Sequence, residues 1–270
     1  LKRILKSCRK DFEKNTFLTP MNKTALVTGA SSGIGKATAK ALAGAGYRLV
    51  ICGRRKEALE TLKNKLSGKT EVHILQFDVR DKEKVKEAIQ SLPQDFKTID
   101  VLVNNAGNAH GLDPIQTGSI EDWDAMIDIN VKGLLYVSRE IIPQMVEKGA
   151  GDIINIGSLA GKEVYPNGNV YSASKHAVDA INQGMRIDLN GKGIRVGAIN
   201  PGLVETNFSE VRFKGDSERA KSVYTGFNAL KPEDIAEIVA FVVTRPPHVN
   251  IADLLVLPTA QATSTIVHKE

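Results

Sequence analysis

Seven short apolar runs alternate with longer amphipathic stretches along most of the chain, and this alternation limits the possible folds more than any other feature. The runs cover residues 24–29, 48–53, 72–79, 99–107, 151–158, 194–202 and 254–258. Their β-branched residues, and the Gly, Asn or Asp at their ends, mark them as strands rather than buried helices. Helical patterns lie between them, such as GKATAKALAGAG, RKEALETLKNKLSG and KEKVKEAIQSL. Strands alternating with helices predict an α/β fold, a doubly wound parallel sheet of about seven strands covered by helices on both faces. Ser119 precedes IEDWDAMIDIN with Asp122 three residues later, the pattern of a helix start.

With 270 residues, 42% of them hydrophobic, the chain can bury a real core. No internal repeat or long linker interrupts residues 21–270, which read as a single domain. No run of 18 apolar residues would carry the chain across a bilayer. Lys and Arg number 36 against 31 Asp and Glu, but six of the former and two of the latter fall in residues 1–20. The remaining body is close to neutral, which argues against a nucleic-acid partner.

Residues 1–20 are expected to be a tail, outside the native protein or disordered. A basic amphipathic segment of this kind also permits contact with an anionic membrane. Two cysteines, Cys8 and Cys52, are too few for an extracellular disulfide framework, so a cytoplasmic location is expected. The five histidines have no ligand spacing, and no metal is expected.

The first strand leads directly into TGASSGIG, placing Gly29, Gly33 and Gly35 where a strand becomes a helix. Glycines there let main-chain N–H groups of Ser31, Ser32 and Ile34 approach a pyrophosphate, which the helix N-terminus also favours. The second strand ends at Gly53, where an NAD-binding protein usually carries an acidic residue for the ribose 2′-hydroxyl. Here Arg54 and Arg55 follow instead. Two guanidinium groups in place of a carboxylate suit a 2′-phosphate, which favours NADP(H) over NAD. The alternative is that both arginines are solvated residues opening a surface helix.

Tyr171 and Lys175 are one helical turn apart in VYSASKHAV. An unperturbed tyrosine, with a pKa of about 10, is a poor base at neutral pH. A lysine ammonium one turn away stabilises the phenolate and makes proton transfer feasible. Ser158, at the end of the preceding strand, can hold a substrate oxygen beside the phenol.

The ordered set TGASSGIG, Asp78, NNAG at 104–107, Asn130, Ser158, Tyr171 with Lys175, and Pro201-Gly202 resembles the short-chain dehydrogenase/reductase family. The resemblance implies a Rossmann-type fold binding a nicotinamide cofactor, with Asn130, Ser158, Tyr171 and Lys175 as a catalytic tetrad. It further implies that Asp78 and Val79 flank the adenine and that Asn105, Ala106 and Gly107 line the cofactor. Pro201, Gly202, Val204 and Thr206 would meet the nicotinamide end, and Lys175 the nicotinamide ribose. Asn130 would help hold a proton-relay water. A homotetramer is implied as well.

The segment 202–224, with YPNGNVYSASK and the closing PPHVNIADLLVLPTAQ, is similar to a subgroup of that family, the NADP-dependent 3-hydroxy acid dehydrogenases. The substrate implied is a small anionic hydroxy acid: serine, L-allo-threonine, 3-hydroxyisobutyrate or 3-hydroxypropionate, or malonic semialdehyde in reduction. Sulfoacetaldehyde reduction and a membrane-attached reductase of a lipophilic alcohol are the alternatives. A non-catalytic NADP sensor is disfavoured by the intact tetrad. Arg212 and Lys214 are placed to pair with a substrate anion, or else are surface charges or subunit contacts.

Overall fold

The computed structural model describes residues 23–270, and the basic segment 1–20 lies outside them. Seven strands form one parallel sheet: β1 (Thr24–Val27), β2 (Arg48–Gly53), β3 (Val72–Gln76), β4 (Val101–Asn104), β5 (Gly151–Ile156), β6 (Ile194–Pro201) and β7 (Asp253–Val256). Their spatial order is β3-β2-β1-β4-β5-β6-β7. Leu26 pairs with Val50 on one side and Leu102 on the other. The chain therefore works outward from β1 to one edge, returns to β4, and continues to the other edge. The crevice between β1 and β4, where the direction reverses, is where sheets of this kind hold ligands.

The helices are α1 (Gly33–Gly44), α2 (Lys56–Leu66), α3 (Lys82–Gln90), α4 (Ile120–Ile127), α5 (Leu134–Lys148), α6 (Asn169–Asp188), α7 (Phe208–Arg212), α8 (Ser217–Ser222) and α9 (Pro232–Val243). Because side chains alternate along a strand, each strand feeds two cores. Ala25, Val27, Leu49 and Ile51 pack under Leu42, Leu62 and Val239 of α1, α2 and α9. Leu26, Val50 and Leu102 pack under Val85, Ile141 and Met145 of α3 and α5. Burial on both faces explains why the strands read as nearly continuous apolar runs. No helix among the described residues is long and apolar enough to cross a membrane.

Most strands are shorter than the sequence pattern predicts, and β1, β3, β4, β5 and β6 all stop early at the C-terminal end that builds the site. Gly29 turns with φ +65°, so β1 stops before it. Asn105–Gly107 leave the sheet after β4, and Asp78 and Val79 after β3. The predicted start at Ser119 is observed: its hydroxyl accepts the Asp122 N–H at 3.2 Å. After α4 the chain widens into a π-helical turn, Asp128–Gly133, which the sequence pattern does not announce. The segment 202–224, read as a loop, contains the two short helices α7 and α8.

Candidate active site

A cavity of about 660 Å³ opens along the C-terminal ends of the strands. Of the candidate site residues named from the sequence, all but Gly35, Asn130 and Lys214 line it. Gly35 and Asn130 lie directly behind its wall.

At the β1 end, Gly29 and Gly35 are required by close approach. A Cβ on Gly29 would come 2.8 Å from Asn105 Nδ2, and one on Gly35 only 2.5 Å from the Gly29 carbonyl oxygen. Asn105 Nδ2 donates to the Thr28 carbonyl at 2.8 Å, while the Thr28 hydroxyl accepts the Asn105 and Ala106 N–H groups at 3.0 Å each. The β4 turn is thus stitched to the β1 turn across the crevice. Ser32, the N-cap of α1, makes no side-chain cap bond. The N–H donors of that first turn are left facing the cavity, as an anion site requires.

The Arg55 guanidinium donates to Ser31 Oγ at 3.1 Å, and Arg54 lies 3.8 Å from the Asp78 carboxylate. That carboxylate is gripped by Arg80 at 2.7–3.1 Å. These bonds to Arg80 and the nearby cations hold the Asp78 carboxyl below its usual range despite partial burial. A glycine cradle, free helix N–H groups and two arginines at one end fit a dinucleotide bearing a further phosphate.

At the other end, β5 delivers Ser158 and the first turns of α6 deliver Tyr171 and Lys175. The Ser158 hydroxyl accepts the Ala160 N–H at 3.0 Å and is hydrogen-bonded to the Tyr171 phenol. Burial pushes the Tyr171 phenol far above its usual value, opposed by the Ser158 bond and by the Arg212 charge. Lys175 is also buried, and its ammonium is pulled down to about 8 by desolvation. It donates to the Ile156 carbonyl at 3.0 Å. The Arg212 charge also acts on the phenol, an influence that the helical spacing of Tyr171 and Lys175 does not announce.

Asn130 sits in the π-helical turn with its amide committed to protein. Its Oδ1 accepts the Asn108 N–H at 2.7 Å, and its Nδ2 donates to the Asn108 carbonyl at 2.8 Å and to Ser174 Oγ at 2.9 Å. This clamps the wall that follows Gly107.

Arg212, at the end of α7, stacks on the Tyr165 and Tyr171 rings at 5.4 and 5.6 Å. Its Nε donates to the Gly111 carbonyl at 3.1 Å, and the Gly111 N–H donates back to the Arg212 carbonyl at 3.0 Å. Lys214 does not reach the cavity. It is exposed and pairs with Asp122 at 2.9 Å. Sequence reasoning missed Tyr165, Tyr224, Asn108 and Gln261, all set by tertiary contacts. All four line the cavity, and Gln261 also accepts the Leu203 N–H of the Pro201–Thr206 segment at 2.9 Å. Tyr165, Tyr224 and Gln261 do fall in the segments YPNGNVYSASK, 202–224 and PPHVNIADLLVLPTAQ, but nothing in those segments marks them individually.

The chain matches the short chain dehydrogenase family over residues 23–217. It is 48% identical over 238 residues to the NADP-dependent 3-hydroxy acid dehydrogenase of Salmonella typhi, covering 88% of this chain and 95% of the relative. It is 43% identical over 245 residues to sulfoacetaldehyde reductase 2 of Chromohalobacter salexigens, covering 90% and 97%. Its fold matches the closed form of serine dehydrogenase complexed with NADP+ with a TM-score of 0.86 and 44% identity, covering 92% of this chain and all of that one.

Proposed function

Because the chain belongs to the short chain dehydrogenase family and is an oxidoreductase of hydroxyl groups, we propose that it works with NADP(H) on small 3-hydroxy acids. The substrates are serine, L-allo-threonine, 3-hydroxyisobutyrate and 3-hydroxypropionate, with malonic semialdehyde in the reducing direction. The observation that carries this reading is the Arg212 guanidinium in the cavity wall, stacked against the Tyr171 ring. A substrate whose oxygen meets the phenol has its carboxylate within reach of that fork. The NADP-dependent name of a 48% identical relative supports the cofactor.

The cofactor supplies or accepts the hydride. The protein's part is to hold and move a proton. Ser158 holds the reacting oxygen, and Tyr171 gives it a proton in reduction or takes one in oxidation. Lys175 lies one turn further along α6 and bonds the nicotinamide ribose. Arg54 and Arg55 hold the 2′-phosphate, and the first turn of α1 holds the pyrophosphate. Asp78 and Val79 flank the adenine; Asn105 to Gly107 and Pro201 to Thr206 form the walls. The Asn130 amide is saturated by Asn108 and Ser174, so its contribution to a water relay falls to its main-chain carbonyl.

A guanidinium serves a sulfonate as well as a carboxylate, and the sulfoacetaldehyde reductase relative supports sulfoacetaldehyde as the second reading. The test is NADP+ reduction with L-serine, L-allo-threonine, 3-hydroxypropionate, isethionate and a steroid alcohol. Turnover of the 3-hydroxy acids is expected. Turnover of isethionate alone would give the second reading, and turnover of the steroid alone would overturn both.

A further inference from the structure

We propose that Asn200 is a positioning residue for this reaction, fixing Ser158 relative to the strand that carries the nicotinamide-end wall; the inference rests on the tetrad roles proposed above. Strands β5 and β6 pair in register as far as Ile156 and Ile199, and one more main-chain bond follows, from the Gly157 N–H to the Ile199 carbonyl at 2.8 Å. At Ser158 the Asn200 side chain takes over from the main chain. Its Oδ1 accepts the Ser158 N–H at 3.3 Å. Gly157 is needed for this, since a Cβ there would lie 2.0 Å from Asn200 Oδ1.

The Asn200 amide is itself held from behind. Its Nδ2 donates to Asp253 Oδ1 at 2.5 Å, and the other oxygen of Asp253 accepts from Lys162 Nζ at 2.8 Å. Lys162, four residues after Ser158, also donates to Asp179 of α6 at 2.7 Å. Asp179 lies two turns beyond Tyr171 on the same helix. One polar tie therefore joins the Ser158 segment, the Tyr171 helix, β7, and the residue immediately before Pro201.

Asn200 is 1% exposed and does not line the cavity, so it acts through Ser158. Its amide orientation is set by Asp253, since only a flipped amide could face that carboxylate with oxygen, and it would be repelled. Without the tie, the Ser158 N–H loses its acceptor and the oxygen-holding hydroxyl drifts from its alignment. A misplacement of about 1 Å costs on the order of 100-fold in rate.

The test compares Asn200→Ala, Asp253→Ala and the swap N200D/D253N with the full-length wild type. The swap keeps an acceptor toward Ser158 and a donor–acceptor pair across to β7. Asn200→Ala is expected to lower kcat about 10–100-fold with the NADPH dissociation constant, read by fluorescence, within about twofold. The primary deuterium isotope effect should rise as hydride transfer becomes limiting. Asp253→Ala, a change of an exposed carboxylate that leaves the core intact, should give a smaller loss of the same kind, and the swap should recover most of kcat. In parallel, amide exchange at Ser158 in the NADP+ complex should accelerate in Asn200→Ala while that of α6 does not. A wild type inert toward every 3-hydroxy acid would overturn the proposed function, and Ser158 exchange would still decide this inference. Unchanged kcat, equal losses of kcat and NADPH affinity, or unchanged Ser158 exchange would overturn it.

Discussion

The Arg212 guanidinium carbon lies 5.6 Å from the centre of the Tyr171 ring. In the proposed function one side chain therefore bears on both halves of the chemistry, the charge on the substrate and the proton on the phenol. Its removal has two separable effects. Arg212→Ala should raise KM for 3-hydroxy acids about 10–100-fold, the loss of one charge-assisted bond pair, and leave KM for an uncharged alcohol nearly unchanged. The cation also holds the phenol below the value that burial alone would give. Without it the phenolate forms at higher pH, so the rising limb of the oxidation pH–rate profile should move upward. An unmoved limb would mean that Arg212 does not act on Tyr171.

Tyr171→Phe should lower turnover about 10³-fold, within the usual range for loss of a positioned proton donor. NADPH binding, followed by fluorescence titration, should stay within about threefold. Retained turnover would remove Tyr171 from its assigned role.

Arg54→Ala and Arg55→Ala should each weaken NADPH binding about tenfold or more, the equivalent of one bond to a charged group, without altering NADH binding. Calorimetry with both cofactors gives the selectivity directly. Equal losses for the two cofactors would show that the arginines support the α2 N-terminus rather than a phosphate.

Lys175 predicts how stability without cofactor depends on pH. In the unfolded chain it keeps its proton to about 10.5, whereas in the folded chain burial brings this down to about 8. Between those values the unfolded state binds more protons, so stability rises with pH across the window. Lys175→Met, similar in shape and without charge, should flatten that rise. Urea unfolding of both proteins at pH values across the window provides the comparison, and parallel slopes would refute the prediction.

The fold was legible because both faces of the sheet are buried. Runs such as TALV and RLVICG are apolar throughout, and the glycines after them mark where the chain must turn. The pairing of Tyr171 with Lys175 was legible for a similar reason, since the two share α6 and their spacing is local. Strand order was not, because nothing in β1 states that its neighbours are β2 and β4. The same limit applies to the side chains acting on the phenol. Local spacing pointed to Lys175, whose ammonium donates to the Ile156 carbonyl, and gave no sign of Arg212. Arg212, 41 positions after Tyr171 in sequence, arrives beside the phenol through α7. The saturated amide of Asn130 depends on Asn108 and Ser174, which come from two other elements, and its π-helical turn leaves no mark in the apolar pattern.

The mutual hydrogen bonds between Arg212 and Gly111, together with the two aromatic rings on which the guanidinium rests, bear on affinity. A free arginine gives up about 2 kcal/mol of rotamer entropy when it is immobilised. Here the side chain is already held by the carbonyl and the rings before any anion reaches the cavity. That ordering cost is met during folding, so it is not subtracted again from the attraction between the guanidinium and the anionic substrate proposed for it. A small molecule with few atoms to contribute gains most from a partner that is rigid in advance.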